Sequence, residues 1–516
     1  MTTDKNNFVF PPRKPRGDRG DVVFTSCSRC FPIDTQAIRS KILDLAMRGK
    51  LTEQLPEDGT AEELYRQIQA EKQKLIKSGK IKKEKSLPEI AVDEVPFEIP
   101  RNWKLCRFGA AITLVSGTDY APEEYNDERK GTPYITGASN LLSEGVLINR
   151  WTEKPRCWAN FGDVLLVCKG SGYGKVAMCD IDEAHIARQI MAVKKTPFME
   201  MRFILYFLMA KFNYLKEKGQ GLIPGVDRKS VLNMPFPLPP LAEQHRIVAR
   251  IEQAFSALDT IDALQAKYAD NLTVLKSKLI DAAIQGKLTE QLPEDGTAEE
   301  LYRQIQAERK RQETAGMIKT VELAQDVHET EKPFAIPSSW KWTSLGNVSY
   351  IVRGGSPRPI KQYITTREDG IDWIKIGDVE KGGKYIYSTH EKIIPEGEAK
   401  SRRVYPGDFL LTNSMSFGRP YISKIEGCIH DGWLLLHDLT GFDPDYLYYL
   451  LSSSYLYGQF TVKASGSTVD NLNIDKVKAA LIPLPPLAEQ KRIVKRLMEL
   501  LAVCDELKAV SKRMEP

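Results

Sequence analysis

The sequence predicts an α+β protein: two pseudo-symmetric α+β domains separated by long antiparallel coiled-coil helices in a cyclic repeat arrangement. Three observations carry this reading. The 23-residue stretch GKLTEQLPEDGTAEELYRQIQAE occurs twice without a change, at 49–71 and 286–308, an offset of 237 (286 − 49). A second pair of blocks, PLPPLAEQHRIVARI at 237–251 and PLPPLAEQKRIVKRL at 483–497, matches at an offset of 246 (483 − 237). Between the blocks lie short β-prone runs broken by glycine, such as GDVLLVCKGSGYGKVAM and GDFLLTNSMSFGRPYI, each domain also holding an apolar helix candidate. A repeat of domain size implies an internal pseudo-dimer rather than a solenoid.

Taken in chain order, residues 1–33 fall outside the repeat and are expected to form a flexible arm. Arg13, Lys14, Arg16 and Arg19 have no apolar core behind them, so a secretory signal is not expected and a cytoplasmic location is. Residues 34–94 form a helical region in which IRSKILDLAMRGK (38–50) matches LKSKLIDAAIQGK (275–287). Gly49 and Gly286 end helices, LTEQLPEDG is a loop, and Thr60 or Thr297 caps the next helix with Glu63 or Glu300 as a capping box. The run KQKLIKSGKIKKEK (72–85) reads as a solvated basic linker. FEIPRNWK and FAIPSSWK open the two domains, 95–240 and 332–486, whose helix candidates are MRFILYFLMAKF and PDYLYYLLSSSYLY.

The central region, 241–331, begins with a long helix. The prolines of PLPPLAEQ forbid helix before Leu241, and Glu243 suits the exposed N–H groups of the first turn. Ile251, Phe255, Leu258, Ile261, Leu264, Tyr268, Leu272, Leu275 and Leu279 recur with coiled-coil spacing, a mean of about 3.5 residues. At 1.5 Å per residue the helix extends about 65 Å. Its expected antiparallel partner is split between the C-terminal helix, 487–516, and the N-terminal helix. In repeat coordinates Pro516 corresponds to Asp270 and Asp34 to Asn271, as if a circle had been cut inside one helix.

Hydrophobic content of 42% and charged content of 27% over 516 residues are those of a globular protein with several cores. A net charge of +5 permits an acidic partner without arguing for one. No apolar run reaches the roughly 18 residues of a membrane span. The eight cysteines are scattered and expected to be reduced, and the single CxxC at Cys27 and Cys30 lacks the second ligand pair that zinc needs. GSGYGK is not a P-loop, because Val176 stands where Ser or Thr should follow the lysine. No HExxH, GxSxG or methyltransferase Asp/Asn-Pro-Pro-aromatic tetrapeptide occurs, so a binding or scaffolding role is favoured. An enzyme with its own nuclease or nucleotide-binding activity and a coiled-coil adaptor without DNA binding remain the alternatives.

Domains that open with F-x-I-P-x-x-W, close with P-L-P-P-L-A-E-Q and are joined by helices carrying GKLTEQ resemble the specificity (S) subunit of type I restriction-modification systems, over residues 34–516. The resemblance implies two target recognition domains, each reading one half of an asymmetric bipartite sequence in double-stranded DNA. The helices would set the gap and dock two modification subunits. It places S-adenosylmethionine on those subunits and ATP and Mg on restriction subunits, with no cofactor, catalytic residue or metal on this chain and no membrane. Readout needs donors and acceptors on loops, with cations and N–H groups on phosphates. The candidates are Ser116, Thr118 and Tyr120 in SGTDY, Lys169, Ser171, Tyr173 and Lys175, and the pair Arg228 and Lys229. In the second domain they are Arg353, Ser356 and Arg358 in RGGSPR, Asn413, Ser414, Ser416 and Arg419 in TNSMSFGR, and Asn471. The family's Gly-Gly-Thr-Pro-like turn is kept at 354–357 with Ser for Thr, whereas 117–120 departs from it.

Overall fold

A computed structural model describes residues 33–512 apart from 84–85, 92–93, 96, 143–144, 171, 212–224, 381, 414–416 and 462–471. Cysteines 27 and 30 and the candidates Ser171, Ser414, Ser416 and Asn471 lie outside the described residues. The chain forms two compact units, Ile33–Ala266 and Lys267–Pro516.

The first unit opens with the helix Thr35–Met47, capped by Asp34, whose carboxylate accepts from Ala37 N–H. Gly49 then takes a left-handed φ of +65°, and a Cβ here would strike the ring of Pro100 in FEIP. Gly286 repeats this against Pro337 in the second unit. After a turn at Pro56–Asp58, the helix Ala61–Lys77 buries Ala61, Leu64 and Ile68. The expected capping box is absent at Thr60, whose side chain makes no cap hydrogen bond, and present at Thr297, which accepts from Glu300 N–H. The helix ends the linker reading at Lys72 too. That ammonium donates to the carbonyls of Gly109 (2.6 Å) and Ile112 (2.9 Å), while Gln69 donates to Ala110. Gln306 and Arg309 of the equivalent helix Ala298–Thr314 grip Asn347 and Gly346 in the same way.

Each recognition domain is closed by its own ends. The strand after the first W, Lys104–Arg107, pairs antiparallel with Pro235–Leu238, and Lys341–Ser344 pairs with Leu481–Leu484. Prolines are tolerated there because each ribbon has only two strands. The first domain contains two four-stranded sheets, one ordered Leu114–Ser116, Ile190–Val193, Val164–Val167, Val176–Met178. Alternate residues of Val164–Val167 face opposite cores: Val164 and Leu166 meet Phe108, Phe203 and Phe207, whereas Leu165 and Val167 meet Ile135 and Ile186. The second domain repeats the plan with one strand more in each sheet, Tyr385–Ile386 and Ile364–Thr365. Here Phe409 and Leu411 face one core and Leu410 the other. The helix Met201–Ala210 forms as expected. Its counterpart divides at the buried Ser453 into Pro444–Ser452 and Ser454–Thr461.

Glu243 stands in its helix's first turn as the sequence suggests, and it does more there. It is fully buried and accepts from Trp103 Nε1 (2.8 Å), Gln54 Nε2 (2.8 Å) and Thr52 Oγ1 (3.3 Å). Glu489 holds Trp340, Gln291 and Thr289 identically. Three residues on, Arg246 makes a bidentate pair with Asp58 of PEDG at 2.6 Å, and Arg492 pairs with Asp295. The three repeated motifs are thus one tertiary unit, built twice.

The helix Leu241–Ile284 runs 44 residues without a break. Its apolar seam is only partly covered. Ile251, Leu258 and Leu272 are buried, but Leu264 is 60% exposed and Tyr268 and Leu275 are also exposed. Polar contacts replace the expected continuous seam. In the first unit Arg39 bridges Asp259 (2.8 Å) and Asp262 (2.9 Å); in the second Lys276 pairs with Asp505 of the helix Leu487–Lys512.

Candidate nucleic-acid interface

Most of the sequence-selected residues fall on three segments of each domain, and the fold gathers those segments together. In the first domain the loop after Leu114–Ser116 is tied to the neighbouring strands by Gly117 N–H to Ile190 O (3.0 Å) and Thr118 N–H to Ile186 O (3.0 Å). The loop after Val164–Val167 is tied by Cys168 N–H to Gln189 O (2.7 Å). The third segment joins through Val226 N–H to Cys168 O (2.9 Å), ahead of the short helix Arg228–Leu232, which Asp227 caps. In the second domain Gly354 N–H to Trp433 O, Gly355 N–H to Ile429 O, Asn413 N–H to Gly432 O and Leu472 N–H to Asn413 O make the same four links. Gly117 and Gly354 are equivalent despite their different surroundings in sequence. A Cβ on either would fall onto the carbonyl oxygen of Ala187 or His430.

The side chains sort clearly. Ser116, Thr118, Lys169, Lys175 and Lys229 are exposed, as are Arg353, Arg358 and Arg419. Tyr173 and Arg228 are half-buried, and Arg228 Nη1 donates to Ser116 Oγ at 3.3 Å. Lys175 reaches the Ala138 carbonyl at 3.2 Å. Two candidates face inward instead. Tyr120 is buried among Tyr134 and His185, its hydroxyl donating to the Lys154 carbonyl, because an aromatic ring at a turn gains more from the core than from solvent. Asn413 is buried and its amide donates to the Asp431 carbonyl at 2.8 Å, so it braces a turn.

A fourth segment, unmarked in the sequence, lies where the three meet: the turn 187–189 and its counterpart 430–432. Asp431 collects four candidates. Its carboxylate accepts from Ser356 Oγ (2.8 Å) and Arg358 Nη2 (3.3 Å), its carbonyl from Asn413 and from Arg353 Nε (3.1 Å). Burial pushes the Asp431 carboxyl up, but the Ser356 hydroxyl and neighbouring charges outweigh it and hold the group below its ordinary value, hence ionised. In the first domain Arg188 occupies that place, with its Nε 3.2 Å from Asp119 Oδ2 and its N–H donating to Asp119 Oδ1 (3.0 Å). Behind the turns, burial lowers the pKa of His185 and of His430. The adjacent Cys168 thiol is pushed up to about 11 by burial, so it is protonated near neutral pH. No helix among the described residues is long and apolar enough to cross a membrane.

Paired domains with equivalent polar loop clusters, closed by one repeated motif system, define a modular recognition protein. The model of the type I restriction modification DNA specificity domain matches residues 100–267 and again 337–514, and the chain belongs to that family. It is the DNA sequence-specificity subunit of a type I restriction-modification system, a non-catalytic component. The type I restriction enzyme EcoEI specificity subunit of Escherichia coli is 26% identical over 92% of this chain and 90% of its own length. The EcoAI specificity subunit of the same species is 25% identical over the same shares. A solved structure described as the basis of complex assembly and conformational transition of the type I R-M system covers 80% of this chain and 94% of its own, with a TM-score of 0.51 at 20% identity. That likeness is one of fold.

Proposed function

We propose that each loop cluster reads one half of an asymmetric bipartite DNA target, the first domain one half-site and the second the other. The observation that carries this is the identity of the backbone links in the two clusters set against the difference of the side chains they display. Equal scaffolds with unlike donors and acceptors suit two unlike base sequences. The uninterrupted helix Leu241–Ile284 supports a role in setting the gap between half-sites. The duplicated frame around Glu243 and Glu489 supports docking of two modification subunits. Those subunits would bring S-adenosylmethionine, and restriction subunits ATP and Mg, while this chain supplies address and spacing. Residues 95–240 and 332–486 serve as the recognition domains, and the helical regions 34–94, 241–331 and 487–516 as the frame.

The test is exchange of residues 95–240 for the corresponding part of another family member, in a complex with its modification subunits. Methylation of a random DNA pool should then change in one half of the motif alone. A change in both halves, or no sequence-selective methylation by the parent complex, overturns the reading.

A further inference from the structure

The turns 187–189 and 430–432 share a backbone and exchange a charge. Ile190 N–H closes the first onto Ala187 O at 2.9 Å, and Trp433 N–H closes the second onto His430 O at 3.1 Å. At the middle position stand Arg188 and Asp431. The partners on the facing loop are exchanged too: Asp119 meets Arg188, while Ser356 and Arg358 meet Asp431. Both side chains remain open, Arg188 at 67% exposure and Asp431 at 44%.

Stability does not account for this arrangement, because solvent-exposed ion pairs contribute little to folding. Recognition does. The ion pair of Arg188 uses Nε, and its two terminal nitrogens make no hydrogen bond among the described residues. They are left as the planar fork that matches O6 and N7 of guanine in the major groove. The buttress of Asp119 fixes the direction of that fork. Asp431 poses the reverse problem. Phosphates repel a carboxylate, so an acidic side chain amid a DNA-facing cluster is favoured where it accepts from an exocyclic amino group, N4 of cytosine or N6 of adenine. Ser356 donates to Oδ1, which His430 Nδ1 also faces at 3.7 Å, and Arg358 donates to Oδ2, which keeps a second lone-pair direction for an incoming amino group.

We propose that Arg188 and Asp431 are specificity-determining residues at equivalent positions of the two recognition domains. Arg188 selects a guanine, and Asp431 selects an amino-bearing base, cytosine or adenine. This rests on the half-site reading above. Gly117 and Gly354 let the flanking loops lie against the turn, so each reading side chain stands at the centre of its cluster.

Arg188→Gln and Asp431→Ala are prepared in the full chain and assembled with the modification subunits. Two readouts are taken: the motif methylated in a random pool, and competition binding by targets changed at single base pairs. Arg188→Gln should loosen one guanine position in one half-site and weaken cognate binding roughly 10- to 100-fold, with the other half unchanged. Asp431→Ala should loosen one position in the other half, and the parental pair there, C·G or A·T, distinguishes cytosine from adenine. A motif unchanged letter for letter, with all targets weakened alike, overturns the proposal and makes these residues loop braces or phosphate contacts. Loosening by Arg188→Gln at a position other than guanine overturns it as well. If methylation is lost, an unaltered ranking of competitors overturns it and an altered one at that position supports it. A single variant that alters both halves counts against half-site reading itself.

Discussion

Replacing Glu243 by alanine removes the one acceptor on which three repeated motifs converge. The Trp103 indole N–H, 2.8 Å from the carboxylate, is buried and has no water to turn to. Losing a charge-assisted bond and stranding that donor costs about 2 kcal/mol. Gln54 and Thr52 lie where solvent reaches, so each contributes about 0.5 kcal/mol. The total of about 3 kcal/mol is a roughly 150-fold change in an opening equilibrium. Because two units complicate a single unfolding transition, hydrogen exchange read by mass spectrometry is the suitable assay. Amides in Ala61–Lys77 should exchange roughly 100-fold faster in Glu243→Ala, while those of the equivalent helix Ala298–Thr314 keep the parental rate. Trp103→Phe keeps the ring and removes only the donor. Combined with Glu243→Ala it should cost less than the two changes added, by about 1.5 kcal/mol. An acceleration below tenfold, or strict additivity with Trp103→Phe, refutes the idea that this carboxylate ties the motifs together.

Two further outcomes follow from the frame. The Arg246 guanidinium, by hydrogen bond and charge, holds Asp58 below its ordinary value of 3.8. A depressed carboxyl stabilises the fold above its unfolded pKa and loses that contribution as pH falls through its folded one. Arg246→Gln should therefore cost about 1 kcal/mol near neutral pH and converge with the parent as pH falls below 3.8 through the depressed folded pKa, as read from hydrogen-exchange protection of Ala61–Lys77 at several pH values. Inserting two helical turns into the solvent-facing middle of Leu241–Ile284 should lengthen the gap in the methylated motif and leave both half-site sequences intact. An unchanged gap refutes the spacer role.

What could be seen in the sequence depended on how local its cause was. Helix ends at Gly49 and Gly286, the 44-residue helix after PLPP and the apolar helix Met201–Ala210 all follow from interactions within a few residues. The first-turn place of Glu243 is local and legible, but its bond to an indole 140 residues earlier in the chain is not. Spacing predicts a seam but carries no information about which partner covers Leu264 or Tyr268, both exposed. Of the interface, the glycines at 117, 354, 170 and 174 are visible in the sequence as places where backbone turns sharply. Tyr120 and Asn413 looked like surface groups because neither composition nor turn chemistry says which way a side chain points. Arg188 and Asp431 carry no motif at all. Only sheet order brings 119 to 188 and 356 to 431.

That same invisibility explains how the two halves of the chain can keep one frame and display different chemistry. The links that fix the turn 187–189 meet it at its own backbone atoms: Cys168 N–H on Gln189 O, the closing bond from Ile190 N–H to Ala187 O, and Asp119 Oδ1 on the Arg188 N–H. The links to 430–432 likewise meet its backbone: Asn413 N–H on Gly432 O, the Asn413 amide and Arg353 Nε on Asp431 O, and the closing bond from Trp433 N–H to His430 O. The position of the reading side chain is therefore set without reference to its identity, and arginine and aspartate occupy it with the same geometry behind them. The frame has no such freedom. Glu243, Trp103, Gln54, Arg246 and Asp58 act through side-chain atoms on one another, so a change at any of them strands a partner. Side-chain-specified contacts keep the frame motifs alike in both units, and backbone-specified turns let the reading positions diverge.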